Sequence, residues 1–174
     1  MLKAHKARII EAKNKWYQVN KPELIAPCWA YPNGMTFSTY DKSDTSTNGL
    51  TSCIIDFVNW SGHFAERINT QGQARVRRIV DGNNGKQIGN RTNGVTFTPT
   101  TGVRGSADIA ATIRRSPTDE YGVPVKIEVK FGKDRQSDHQ KRYEDLTTAS
   151  GGVYIIVRTF EDFIEWYDTF TDRN

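Results

Sequence analysis

The amino-acid sequence predicts an α/β fold in which helices flank a mixed central β-sheet. First, apolar and polar residues alternate in two neighbouring segments, 107–115 and 123–131, as in half-buried strands. Second, apolar residues at helical spacing follow capping residues near positions 137 and 159. Third, the predicted order from residue 51 is helix, strand, strand pair, helix, strand and helix. This order favours a sheet covered by helices.

The first 50 residues are predicted to form an N-terminal extension. A lysine-rich start predicts a helix, and three prolines, Gly34 and a polar cluster then break regular structure. Four aromatic residues predict that this stretch packs against the domain instead of forming a disordered linker. They are Trp29, Tyr31, Phe37 and Tyr40. We therefore divide the chain into an extension, residues 1–50, and a main domain, residues 51–174.

The main domain is predicted to begin with a helix and short strands. Apolar residues at helical spacing predict a helix over about 51–68, although Gly62 weakens its middle. ARVRRIV at 74–80 predicts a strand, DGNNGK predicts a turn, and residues 95–98 predict another short strand. These elements lead the chain into the two alternating segments.

The two alternating segments predict an antiparallel hairpin. Ile109, Ala111 and Ile113 share one side of the first strand, whereas Asp108, Ala110 and Thr112 share the other. In the second strand Val125, Ile127, Val129 and Phe131 alternate with Lys126, Glu128 and Lys130. The charged positions of both strands therefore belong to one face of the predicted sheet.

Two capped helices and a strand complete the prediction. SDHQ at 137–140 matches a capping box, Tyr143 and Leu146 give that helix a buried stripe, and Gly151 and Gly152 end it. VYIIV predicts a short buried strand. Thr159 caps the last helix. Its apolar face consists of Phe160, Phe163, Ile164, Tyr167 and Phe170.

Composition and charge narrow the class of protein. The 174 residues carry a net charge of +4, and no apolar run approaches the roughly 18 residues that span a bilayer. The N-terminus has no apolar stretch typical of a secretion signal, so we expect a cytosolic protein, in a bacterium or a phage-infected host, with both cysteines reduced. Residues 1–21 and 67–91 each carry +5, whereas residues 159–174 carry −4. Such basic blocks suit a polyanion, or form ordinary solvated faces.

Three charged residues of the predicted hairpin are candidates for a catalytic site that binds a metal ion. Strand periodicity places Glu128 and Lys130 on one face, and a paired strand brings Asp108 beside them. Hard divalent ions such as Mg²⁺ prefer one or two carboxylates with water and phosphate oxygens. The lysine can position the attacking water, or deprotonate it if its pKa is lowered. The alternative is an exposed hairpin face with an ordinary cross-strand ion pair.

At these motifs the sequence resembles the PD-(D/E)xK nuclease superfamily, and within it the VRR-NUC branch found in phages and repair enzymes. The resemblance covers about residues 62–168 and lies in GSAD at 105–108, IEVK at 127–130 and SDHQ at 137–140, followed by GGVYIIV and FEDFIEW. It implies a restriction-endonuclease-like core of the order αβββαβ. The polar loop RRSPTDEYG and residues 1–50 have no counterpart in that core.

The resemblance implies roles for individual residues. Asp108 and Glu128 would be the metal-binding carboxylates, with the Val129 carbonyl as an additional ligand. Lys130 would be the catalytic lysine. Gln140 would support the site or touch the scissile phosphate, although its capping role is a sufficient structural explanation. Glu66 resembles a helix-borne acidic residue that reaches the metal, and a solvent-facing glutamate is the plain alternative.

Six basic residues are candidates for contacts with the DNA backbone, and each can equally be a surface charge. They are Arg75, Arg77, Arg78, Arg104, Lys133 and Arg135.

The function expected from this resemblance is a Mg²⁺- or Mn²⁺-dependent DNA endonuclease that acts through metal-activated water, and structure-selective cutting is left open. A non-catalytic DNA-binding or assembly module that keeps the fold is the main alternative, and an RNA-directed nuclease is a weaker one. Nucleases of this kind that act alone commonly dimerise, but no interface is identifiable in the sequence.

Overall fold

A computed structural model describes residues 1, 3–68, 73–76, 95–98 and 102–172 of the chain. It confirms an α/β protein with a mixed sheet flanked by helices. The helices are α1 (Lys3–Asn20), α2 (Pro22–Ile25), α3 (Thr47–Trp60), α4 (Asp138–Ala149) and α5 (Phe160–Thr171). The strands are β1 (Phe64–Arg67), β2 (Gln73–Val76), β3 (Val95–Thr98), β4 (Ile109–Ile113), β5 (Val123–Val129) and β6 (Val153–Val157).

The central sheet has four strands in the order β1-β4-β5-β6. β4 pairs antiparallel with β1 and with β5, so the predicted hairpin is confirmed. β6 pairs parallel with β5, and α4 provides the crossover that a parallel connection requires. β2 and β3 form a separate antiparallel pair.

The sheet has two chemically different faces. The core face carries buried apolar residues such as Ile109, Val125 and Ile127, and packs on α3 and α5, against which α1 packs in turn. The opposite face, here called the site face, carries Lys126 beside Tyr154, and Glu128 beside Ile156 in the next register row. α4 lies over the site face, where the Tyr143 ring meets that of Tyr154 edge-on, with 6.3 Å between the ring centroids.

Residues from both ends of the chain complete the core. Ile9 of α1 is fully buried, and Tyr40 is buried beside α3, where its hydroxyl donates to Asp56 at 2.8 Å. The predicted apolar face of α5 is confirmed, since all five of its members are buried. They are Phe160, Phe163, Ile164, Tyr167 and Phe170. The N-terminal segment and the last helix thus share one hydrophobic core.

The predicted helix over 51–68 is wrong from residue 61 onward. α3 ends at Trp60, Gly62 takes a φ of +84°, and the N–H of His63 donates back to the carbonyl of Val58. A left-handed glycine next to the last turn is the usual way in which a helix ends. The chain then reverses into β1, whose Phe64 is 58% exposed.

Three further expectations about burial are wrong. Leu146 is 54% exposed and no residue of α4 is buried, because the helix rests on the sheet only partly. Phe131 lies beyond the end of β5 and is exposed, so the alternation stops at Val129. In the N-terminal segment Trp29 is 95% exposed, and Tyr31 is also exposed.

β2 and β3 confirm the short strand at 95–98 and the start of the one predicted at 74–80. The rest of the latter strand and the DGNNGK turn lie outside the described residues. Among the described helices, none is both long and apolar enough to cross a membrane.

Candidate active site

The candidate site lies at the end of β5, where the chain leaves the sheet. Glu128 is the second-last residue of β5, and Lys130 follows the strand directly. Asp108 immediately precedes β4, the antiparallel neighbour, so it starts at the same end of the sheet. Strand alternation puts all three side chains on the site face. The structure therefore brings together the three residues of the predicted constellation.

Glu128 and Lys130 are buried, with 3% and 4% of their surfaces exposed. The Lys130 ammonium lies 3.0 Å from Glu128 Oε1 and donates to Asp134 Oδ2 at 3.2 Å. Charged residues are almost never buried unless they are paired. The alternative of an exposed hairpin face with an ordinary ion pair therefore does not describe these two residues.

Gln140 connects the site to the start of α4. Its Oε1 accepts from the backbone N–H of Ser137 at 2.9 Å and from Lys130 Nζ at 3.0 Å, and its Nε2 donates to Glu128 Oε1. The Ser137 hydroxyl in turn accepts from the Gln140 backbone N–H, which completes the predicted capping box. Capping and contact with the site are thus simultaneous roles of one carboxamide, not alternatives.

Asp108 is tied to β5 through the backbone. The Val129 N–H donates to Asp108 Oδ2 at 2.9 Å. The N–H and the carbonyl of one strand residue point to the same edge, so the Val129 carbonyl lies toward Asp108 as well. The predicted metal ligands are the two carboxylates and this carbonyl, and all three therefore lie on the same side of β5.

The free oxygen of Glu128 suits a cation. Among the described residues, Oε2 is buried and has no hydrogen-bond partner. Burial raises the pKa of Glu128, and the negative charge of Asp108 adds to this, although the bond with Lys130 opposes both. A divalent cation between the two carboxylates would remove their repulsion and satisfy Oε2.

Within the described residues no group of three or more acidic, histidine or cysteine side chains is arranged to hold a metal. Mg²⁺ often uses only one or two carboxylates and completes its shell with water and phosphate oxygens. Asp108 and Glu128 therefore fit Mg²⁺ or Mn²⁺, and they do not resemble a site enclosed by protein ligands alone.

Lys130 is held as an ammonium ion. Burial acts to lower its pKa, but the hydrogen bond to Glu128 and the charges of Glu128 and Asp134 outweigh it, and the pKa is raised overall. The sequence-based idea that this lysine deprotonates water required a lowered pKa. With these neighbours, Lys130 instead supplies a fixed positive charge.

Gly105, in the GSAD motif, lets the chain pass close to α4. It has a φ of +84°, and a Cβ at this position would lie 2.5 Å from the carbonyl of His139 and 2.8 Å from the N–H of Gln140. Only glycine fits such a contact in this conformation. The turn before Asp108 is thereby packed against the backbone of His139 and Gln140.

The loop after β5 is fixed by Arg158, which follows β6. Its guanidinium donates to the carbonyls of Gly132 and Asp134, both at 3.0 Å. Lys133 and Arg135 of this loop are exposed, as is Arg104 before Asp108. All three are thus free to meet solvent on segments that flank the site.

Sequence reasoning missed Asp134 and Arg158 as parts of the site. Asp134 lies four residues after Lys130, and its role depends on how the loop turns back, which no periodicity encodes. Arg158 looks like one of many surface arginines until the loop carbonyls are placed beside it. The one available signal was the charged turn KDR directly after IEVKFG.

Other predicted residues are placed differently or lie outside the description. Glu66 is on β1, not on a helix, and it is exposed opposite Ala110. It lies on the site face but outside the Glu128 network. Arg75 belongs to β2, whose side chains are not described, and Arg77 and Arg78 lie outside the described residues. Their contacts with DNA remain predictions.

Neither a comparison with protein-family models nor a search of the curated proteins finds a match to this chain.

Proposed function

We propose that this protein is a divalent-metal-dependent DNA endonuclease whose site consists of Asp108, Glu128, Lys130 and Gln140. The observation that carries the proposal is the buried Glu128–Lys130–Gln140 network, which leaves one carboxylate oxygen free beside Asp108. Burying charges is costly, and such arrangements concentrate at functional sites. The order α3, β1, β4, β5, α4 and β6, with β2 and β3 inserted, agrees with the αβββαβ core that the PD-(D/E)xK resemblance implies.

Each residue has a task that follows from its contacts. Asp108 and Glu128 would hold the Mg²⁺ or Mn²⁺ ion, with the Val129 carbonyl beside them. A bound ion of this kind acidifies water and neutralises charge on the scissile phosphate. Lys130 places its ammonium where negative charge develops on the phosphate. Gln140 orients both Glu128 and Lys130, which fixes the distance between the carboxylate and the ammonium.

A DNA substrate fits the charges around the site. Arg104, Lys133 and Arg135 are exposed on the segments that flank Asp108 and Glu128, so phosphates on either side of a scissile bond would meet positive charge. Arg158 holds the loop that carries Lys133 and Arg135. The excess of carboxylates over the single Lys130 ammonium inside the site suits a divalent cation, and the exposed positive charge around it suits a polyanion.

The test is a cleavage panel of hairpin, flap, four-way-junction and linear DNA, with matched RNA, in Mg²⁺ and in Mn²⁺. We expect at least one DNA to be cut, with cleavage abolished by EDTA and lowered at least about 100-fold by Asp108→Asn or Glu128→Gln. Glu165→Gln, an exposed carboxylate on α5, is the matched control and should cut at the wild-type rate. Failure of the wild-type protein to cut any of these substrates contradicts the proposal, and preferential cutting of RNA would change the substrate.

One observation favours a second candidate, a non-catalytic DNA-binding module. The Lys130 ammonium makes all three of its contacts within the protein, to Glu128, Asp134 and Gln140. A buried ion pair of this kind can serve specificity of folding alone. Such a module would bind the DNA of the panel without cutting it, and Glu128→Gln would leave its affinity unchanged.

A further inference from the structure

A second orphaned polar group lies on the site face, in the middle of β6. The hydroxyl of Tyr154 is buried and, among the described residues, has no hydrogen-bond partner. Tyr154 pairs with Lys126 of β5, so it is the diagonal neighbour of Glu128, within reach of a long aromatic side chain. Its edge-on contact with the Tyr143 ring shows that α4 covers it from above.

Nearby polar groups leave the hydrogen of the Tyr154 hydroxyl without an acceptor among the described residues. Gln136 lies close by as a donor toward the phenol oxygen, and its Nε2 donates to Glu144 at 2.6 Å. Burial raises the pKa of Tyr154, the charges of Glu128, Glu144 and Asp108 raise it further, and Gln136 opposes them only in part. The phenol therefore stays protonated and is a donor. A buried donor without an acceptor is rare in native structures and needs an explanation.

The two orphaned groups on this face are complementary. Glu128 Oε2 is an acceptor that suits a cation, and the Tyr154 hydroxyl is a donor that suits an anionic oxygen. They do not bond to each other, although the charge of Glu128 acts on Tyr154. A phosphate held through a divalent cation presents both partners at once.

We infer that Tyr154 is a substrate-binding residue whose hydroxyl donates a hydrogen bond to a non-bridging oxygen of the phosphodiester bound at the site. The identity of this ligand rests on the proposed nuclease function, whereas the vacant donor beside Glu128 does not.

The inference predicts that the hydroxyl contributes to function and not to stability. Tyr154→Phe should lower the single-turnover cleavage rate roughly 10- to 100-fold, the loss expected for a hydrogen bond to a charged group. Its thermal midpoint should be unchanged or higher, because an unpaired buried hydroxyl is removed. Tyr40→Phe is the matched control, since that buried hydroxyl has a partner in Asp56. It should lower the midpoint and leave the cleavage rate at the wild-type value.

A second measurement detects the contact without cleavage. Protein labelled with ¹³C at the tyrosine ζ carbon contains seven tyrosines, and the Tyr154 resonance is the one that Tyr154→Phe removes. Inorganic phosphate added in the presence of Mg²⁺ should shift this resonance beyond the shift caused by Mg²⁺ alone.

The outcomes separate this inference from the nuclease proposal. A protein that cuts DNA at the same rate with Tyr154→Phe, or whose Tyr154 resonance ignores phosphate, overturns the inference alone. A protein that cuts nothing but whose Tyr154 resonance responds to phosphate supports the contact and contradicts the nuclease. Absence of both cleavage and response contradicts both.

Discussion

The two faces of the central sheet are built from the same strands for different purposes. On β5, Val125, Ile127 and Val129 face a core filled by α1, α3 and α5, whereas Glu128 and the following Lys130 face the opposite side. The core face is closed by aromatic rings, including Phe57, Phe160 and Phe163. The site face is covered by one helix, α4, which buries none of its own residues. Apolar packing is therefore concentrated on one face, whereas the other face carries buried charges that are costly for stability.

Truncating a core ring should give the largest loss of stability. Phe163 is fully buried and packs against Phe57, Phe160, Trp166 and Tyr167. Phe163→Ala should lower the free energy of unfolding by about 3–5 kcal/mol, measured by urea denaturation. Leu146→Ala, on the exposed side of α4, should cost less than about 0.5 kcal/mol. Similar losses for the two variants would contradict the contrast between the faces.

Removing Lys130 from the buried ion pair should lower the free energy of unfolding more than removing the charge of Glu128. Lys130→Met leaves a buried carboxylate beside Asp108 and should cost about 3–5 kcal/mol at neutral pH. Glu128→Gln leaves Lys130 with Asp134 and Gln140 and removes a carboxylate whose pKa burial has raised, so its cost should stay within about 1 kcal/mol. Urea denaturation measures both. Equal costs would show that Glu128 is held for stability.

Adding a side chain at Gly105, where the chain passes close to α4, should disturb the site face by displacing the backbone of α4. Gly105→Ala combines a left-handed φ with a contact of 2.5 Å to the His139 carbonyl, and should cost about 2–3 kcal/mol. Gly151→Ala is the control, since it shares the positive φ but has no atom within 4 Å of the added Cβ, and should cost about 1 kcal/mol. Gly105→Ala should also slow cleavage, because it displaces Gln140, and a wild-type rate would contradict that coupling.

The smallest expected effect is a pH dependence of the free energy of unfolding, caused by His63 on the core side of the sheet. Burial lowers the pKa of His63, and the charge of Arg114 adds to this. Because the folded pKa lies below the unfolded one, the unfolded chain binds more protons between the two values. This contribution to stability is therefore present above the ordinary histidine pKa of about 6.5 and is lost as the pH falls toward the folded value.

Urea midpoints between pH 7.5 and 5.0 measure this loss. His63→Phe, which keeps a ring against Tyr167, should reduce the drop in stability at low pH. Arg114→Gln should reduce it partly, because the neighbouring charge is gone. A pH profile that is the same in all three proteins would exclude His63 as the source.

The sequence was sufficient for elements with local signals. Alternation at Ile109, Ala111 and Ile113 predicted β4, and the capping residues Ser137 and Thr159 predicted where α4 and α5 begin. It was insufficient where tertiary packing decides. Gly62 ended α3 although the apolar spacing continued through Phe64, and Leu146 stayed exposed because α4 covers only part of the sheet.

Four members of the candidate site were predictable from the sequence, but Asp134, Arg158 and the environment of the site were not. Asp108, Glu128 and Lys130 follow from strand periodicity, and Gln140 from its motif. The burial of Glu128 and Lys130 was not visible, because alternation alone suggests a solvated polar face. The raised pKa of Lys130 depends on Glu128 and on Asp134, which the loop after β5 turns back toward the ammonium, and the place of the Tyr154 hydroxyl near Glu128 depends on the parallel register of β6. Strand periodicity encodes neither the path of the loop nor this register.

The most direct test of the central claim is a calorimetric titration of Mn²⁺ into the purified protein near pH 7.5. We expect saturable binding to the wild type and to the Glu165→Gln control, with binding lost in Asp108→Asn and in Glu128→Gln. A wild-type protein that shows no saturable binding, or a Glu128→Gln variant that binds Mn²⁺ as the wild type does, would contradict the claim that these two carboxylates hold a divalent cation.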